Sequence, residues 1–62
     1  MSAIKRIREQ KGISQKDFAE ALGVTPGAVS HWEQGRRKPG IDDLIAIAKL
    51  LECKVDDLIS DA

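Results

Sequence analysis

"SQKDFAEALGVTPGAVSHWEQG" (Ser14–Gly35) sets a proline and a glycine side by side in the middle of a helical pattern. Both are poor helix formers. The residues after them nevertheless place Val29 and Trp32 on one face at helical spacing. The conflict resolves if Pro26 begins a helix instead of interrupting one. Proline suits the first helical position, whose N–H has no intrahelical acceptor, and Thr25 before it is a capping residue. Val24 and Val29 then stand at the spacing of a hydrophobic staple across that helix start. The helix runs to about Gln34 and stops at Gly35.

The same grammar holds upstream. Ser14 is an N-cap candidate for a helix from Gln15 to about Leu22, with Asp17 three residues on as a weak capping box. Ile13 and Phe18 make another staple, and Gly23 is the stop. Phe18, Ala19 and Leu22 form this helix's inner face. Only "GVT" separates the two helices, which is helix-turn-helix geometry over about residues 14–35. Such a corner has requirements. Ala19 must be small where the next helix passes, Gly23 must adopt the left-handed conformation, and Val29 and Trp32 must fill the angle. All four positions hold suitable residues.

Outward from the corner the pattern stays helical. Ile4, Ile7 and the alkyl stem of Lys11 share a face, and Gly12 ends that helix. "GRRKPG" (residues 35–40) is a basic loop. A helix from about Ile41 to Leu51 turns Leu44, Ile47, Ala48 and Leu51 inward. Asp42 and Asp43 occupy its first turn, where the macrodipole favours carboxylates. "VDDLIS" (residues 55–60) forms a short closing helix, and Cys53 and Leu58 repeat the staple spacing. No stretch reads as a strand. The expectation is an all-α, compact five-helix arrangement in a single domain over residues 1–62.

Composition narrows the function. The chain has 62 residues and a net charge of zero. Residues 1–40 carry eight Lys/Arg against four Asp/Glu, net +4, and residues 41–62 carry two against six, net −4. A basic half can meet an anion while an acidic half keeps the total neutral. One cysteine excludes an internal disulfide, and one cysteine with one histidine makes a metal site improbable. No apolar run is long enough to span a bilayer, and "MSAIKRIREQ" has no signal-peptide core. A cytoplasmic protein without metal or cofactor is expected. No nucleophile–base pair or phosphate loop is present, so an enzyme is not expected, and no small-molecule substrate is evident.

The segment "SQKDFAEALGVTPGAVSHWEQGRRKP" resembles the helix-turn-helix of the phage-repressor-like, Cro/C1-type (XRE) family of bacterial transcription regulators. The likeness extends from "IKRIREQKGISQ" to "IDDLIAIAKLLECKVDDLI". It implies a lambda-repressor-like fold and sequence-specific binding of double-stranded DNA, usually as a homodimer on an operator of two half-sites, with the third helix in the major groove. Repressor, Cro-like, restriction–modification controller and antitoxin roles all fit. The alternative is the same fold used as a protein-interaction module, coactivator- or antitoxin-like.

The outward residues of the third helix are Thr25, Gly27, Ser30, His31 and Gln34. Pro26 and Gly27 carry no bulky polar group, which lets the helix start approach base edges, with Thr25, Ser30 and His31 as donors or acceptors. Gln15 at the second helix's start, and Arg36, Arg37 and Lys38 after the third, are candidate phosphate contacts. Trp32 is expected in the core. The resemblance further implies a structural ion pair between Arg8 and Glu33. Two residues depart from the family pattern: Glu52 and Lys54 stand where glycine and a small hydroxyl residue are usual. A non-glycine left-handed residue costs about 1–2 kcal/mol. Pro-Gly on the third helix is a third departure, since longer polar residues are frequent there. The expected dimer surface lies away from the basic face, on the fourth and fifth helices. Its apolar candidates are Ile45, Leu50 and Ile59, rimmed by Asp56, Asp57 and Asp61.

Overall fold

The computed structural model describes residues 1–59. Five helices follow in order: α1 (Ser2–Gln10), α2 (Gln15–Leu22), α3 (Pro26–Gln34), α4 (Ile41–Leu51) and α5 (Val55–Ile59). No strand occurs among the described residues. Ser60, the expected last residue of the closing helix, and Asp61, expected at the rim of a dimer surface, lie outside them.

Three of the connectors repeat one design: Gly12-Ile13-Ser14, Gly23-Val24-Thr25 and Glu52-Cys53-Lys54. The first residue of each is left-handed, with φ of 72°, 72° and 55°. Its N–H returns to the carbonyl three residues back, and the next N–H to the carbonyl five residues back. The bonds are Gly12 to Glu9 and Ile13 to Arg8 (3.0 and 3.2 Å), Gly23 to Glu20 and Val24 to Ala19 (3.2 and 3.0 Å), and Glu52 to Lys49 and Cys53 to Ala48 (3.3 and 2.9 Å). These are Schellman pairs, which satisfy carbonyls left over at a helix end. The middle residue of each connector is half-buried against the core. It closes one helix and staples the next.

The third residue is the cap. Ser14 Oγ accepts from the Asp17 N–H at 3.1 Å, and Thr25 Oγ1 accepts from the Ala28 N–H at 3.1 Å. The last connector departs at both ends of the pattern. Glu52 takes the left-handed conformation without glycine's freedom (φ 55°, ψ 46°). Lys54 has no acceptor to offer, and Asp57 Oδ2 instead accepts from the Lys54 N–H at 3.0 Å. That is the reverse half of a capping box.

Every helix sends at least one side chain to a common core. Ile4, Phe18, Val29, Ile47, Leu51 and Leu58 are fully buried. α3 packs on α2 and α1, α5 on α4 and α1, and α2 on α4, in a body of 24 × 23 × 19 Å. Truncating such a core residue to alanine costs about 2–5 kcal/mol, comparable to the roughly 3–5 kcal/mol that a core of this size supplies. The inner face of α1 differs from the sequence expectation. It comprises Ala3, Ile4, Ile7 and Arg8, while Lys11 is exposed. The helix stops at Gln10, so Lys11 is a cap residue and its stem does not continue the stripe.

Candidate nucleic-acid interface

α3 has two faces with different duties. Val29 and Trp32 are buried, at 0% and 5% exposure, against α1 and α2. Pro26 stands at the helix start, and Thr25 caps it in extended conformation (φ −83°, ψ 152°). Gly35 ends it at φ 78°, with the Gly35 N–H on Trp32 O and the Arg36 N–H on His31 O. The helix is therefore fixed at both ends.

Glu33 ties α3 to the rest of the corner. Its side chain is 3% exposed and that of Arg8 is 8% exposed. Arg8 Nε donates to Glu33 Oε2 at 2.7 Å, and Arg8 Nη2 to Glu33 Oε1 at 3.3 Å. Arg8 Nη1 donates to the Ile13 carbonyl at 2.6 Å. Gln15 Nε2 donates to Glu33 Oε1 at 2.9 Å. One carboxylate thus gathers α1, the first connector and the start of α2 onto α3. Both of its oxygens accept, as a buried charge requires. No buried side-chain polar atom among the described residues lacks a partner. The bond from Gln15 carries no sequence signal, because its partner is eighteen residues away on another helix. Its amide nitrogen turns inward, while the first-turn N–H groups of Gln15 and Lys16 have no intrahelical acceptor.

The outer face of α3 is clear of the core. Thr25, Pro26, Gly27 and Gln34 are exposed, and Ser30 and His31 are half-buried. A Cβ added at Gly27 would meet only Thr25 Oγ1, at 3.8 Å, so the space in front of the helix start is open. Thr25, Gly27, Ala28, His31, Trp32 and Arg37 line a groove of about 290 Å³. Arg36, Arg37 and Lys38 are all exposed, but they do not act as one cluster. Arg37 borders the α3 groove, whereas Lys38 borders a second groove with Met1, Pro39, Leu44 and Ile59.

Three large apolar side chains stay open to solvent: Ile41, Ile45 and Ile59 are 68%, 43% and 46% exposed. Leu50 is half-buried and packs on the core, so it offers less free surface than the sequence suggested, and Ile41 offers more. The Cys53 thiol is pushed up from its ordinary 9.0 by burial, then by the Asp57 carboxylate, against an opposing pull from Lys11. Among the described residues no three His, Cys, Asp or Glu side chains could hold a metal ion. No described helix is long and apolar enough to cross a membrane.

Residues 4–58 match the helix-turn-helix family. The chain belongs to that Cro/C1-type family of transcriptional regulators. It is 33% identical over 57 residues to the HTH-type transcriptional activator BcrR of Enterococcus faecalis, covering 92% of this chain and 28% of that protein. It is 36% identical over 56 residues to the HTH-type transcriptional regulator YqaE of Bacillus subtilis, covering 90% of this chain and 48% of that one. The chain thus spans about a quarter to a half of the length of these relatives. Among solved structures, the P22 c2 repressor in complex with a synthetic operator superposes with a TM-score of 0.87 at 30% identity, over 95% of this chain and 89% of that one. These residues build a helix-turn-helix domain of five helices, with no strand among those described.

Proposed function

We propose that the domain binds double-stranded DNA sequence-specifically as a transcriptional regulator, with α3 in the major groove and two copies on an operator of two half-sites. The observation that carries this is the outer face of α3. Its start is capped, bare of bulky side chains and open in front of Gly27, while Ser30, His31 and Gln34 present polar groups beyond it. Major-groove base edges offer the donors, acceptors and thymine methyls that such groups read. The operator-bound state of the P22 c2 repressor, a structural neighbour, supports the same partner.

Thr25, Pro26, Gly27, Ser30 and His31 form the reading edge in this proposal. The first-turn N–H groups at Gln15, with Arg36 and Arg37, hold phosphates to either side. Lys38 reaches phosphate only from the flank. The second copy docks through the exposed isoleucines of α4 and α5, with Asp42 and Asp56 turned to solvent and away from phosphate. One recognition helix covers few base pairs, which is why a two-fold arrangement is needed, its half-sites about one DNA turn or a multiple apart.

Selection of bound duplexes from a random pool tests the reading. The expected result is a motif in two related halves, with affinity falling steeply in salt, roughly one ion per phosphate contact. Arg37→Ala should lower the salt slope by about one while leaving the motif intact. Enrichment of no motif, or affinity insensitive to salt, would overturn it.

A further inference from the structure

Gln34 is the last residue of α3, and its side chain is exposed. We infer that Gln34 is a specificity-determining residue that reads adenine, and that Ser30 is the positioning residue that sets its amide; this rests on the DNA-binding reading above. Gln34 Nε2 donates to Ser30 Oγ at 3.2 Å. The two residues lie one turn apart on the outer face. Helical side chains lean toward the helix N-terminus, so the long Gln34 side chain carries its amide back from the last residue of α3 to the middle of the reading edge. Gly27 continues the same line one turn further and adds no side chain, and the space before it is open. Gln34 itself is exposed, so its amide faces solvent where a base edge can approach.

The bond also decides polarity. With its nitrogen held on Ser30, the amide has one N–H and the carbonyl Oε1 left for a partner. A donor beside an acceptor complements adenine in the major groove, which presents N7 as acceptor and N6–H₂ as donor. Guanine presents two acceptors there and would set its O6 against Oε1. Ser30 keeps its hydroxyl proton and stays a donor, which suits an acceptor on the same or the adjacent base. An amide free to rotate would lose this preference in part, because it could turn its nitrogen outward.

The test is selection from random duplexes with the whole chain and with Gln34→Ala, Gln34→Glu, Ser30→Ala and Ser30→Thr. Both sites are on the outer face, and circular dichroism melts check that each variant keeps the parent's fold. The parent should require adenine at one position of each half-site. Gln34→Ala should relax that position alone, by roughly ten- to a hundredfold. Gln34→Glu, an acceptor only, should move it toward cytosine, whose N4–H₂ is a donor. Ser30→Ala should weaken the adenine preference, Ser30→Thr should restore it, and the Ala/Ala double variant should read that position no worse than Gln34→Ala. A parent motif that Gln34→Ala and Gln34→Glu leave unchanged would overturn this inference and leave DNA binding standing. A parent that enriches no motif would overturn both.

Discussion

Replacing Glu52 with glycine should stabilise the protein. Glu52 is the one non-glycine residue at positive φ among those described (φ 55°), in a connector whose two counterparts use Gly12 and Gly23 for the same hydrogen bonds. The left-handed conformation costs an L-residue about 1–2 kcal/mol. Glycine removes that cost but loses about 0.4–1 kcal/mol through the greater freedom of the unfolded chain. A second gain adds to the first. Glu52 puts a negative charge beside the C-terminus of α4, where the helix dipole disfavours it by about 0.3–1 kcal/mol. The side chain is exposed, so little packing is lost. The net is a gain of roughly 1 kcal/mol, which in a domain of this size raises the melting temperature by about 4–8 °C. Urea and thermal melts of Glu52→Gly and Glu52→Ala separate the two effects, since alanine removes the charge and keeps the strain. Glycine should exceed alanine. Equal melts for the two variants would show that the conformation costs no more than the about 0.4–1 kcal/mol that glycine's freedom in the unfolded chain takes back, and a destabilised Glu52→Gly would refute the reasoning outright.

Glu33→Ala strands Arg8 in a site that leaves its side chain 8% exposed; a loss of about 3–5 kcal/mol is expected, while Glu33→Gln should cost less. A urea midpoint near the parent's in the alanine variant would show the pair to be dispensable. Cys53 should react slowly with a thiol reagent in the native protein and fast in denaturant, and equal rates would place it at the open surface. Its raised thiol pKa also has a sign: the folded state holds the proton more tightly, so this contribution is intact below about pH 9 and is lost as pH rises through the folded value. Cys53→Ala should remove that alkaline decline. Ile41→Lys and Ile59→Lys, both at exposed sites, should leave the fold intact and abolish cooperative binding to a two-half-site duplex; unchanged sedimentation and cooperativity would place the dimer contact elsewhere.

The elements whose chemistry is local could be read from the chain. Gly23 and Gly35 mark helix stops, Ser14 and Thr25 mark starts, and Val29 with Trp32 marks the buried face, because caps, stops and periodicity leave their trace within a few residues. What could not be read depends on approach between elements. Arg8 falls on the Ile4–Ile7 face at helical spacing, but its charge reads as that of a solvated cation in "IKRIREQ"; only the family resemblance paired it with Glu33. The inward turn of Gln15, the separation of Lys38 from Arg37 and the exposure of Ile41 follow from how helices meet. The Ser30–Gln34 bond spans four residues and is local, yet many polar pairs at that spacing stay apart, so the sequence did not single it out.

The fixed ends of α3 have a thermodynamic consequence. A nine-residue helix is too short to persist alone in water, and ordering its backbone costs about 1–2 kcal/mol per residue. Here Thr25, Gly35 and the Glu33 clamp hold it before any partner arrives, so that entropy is spent in folding and not again on docking. A calorimetric titration of a partner onto α3 should then show a heat-capacity change proportional to the apolar area covered, without the larger component that accompanies folding on binding.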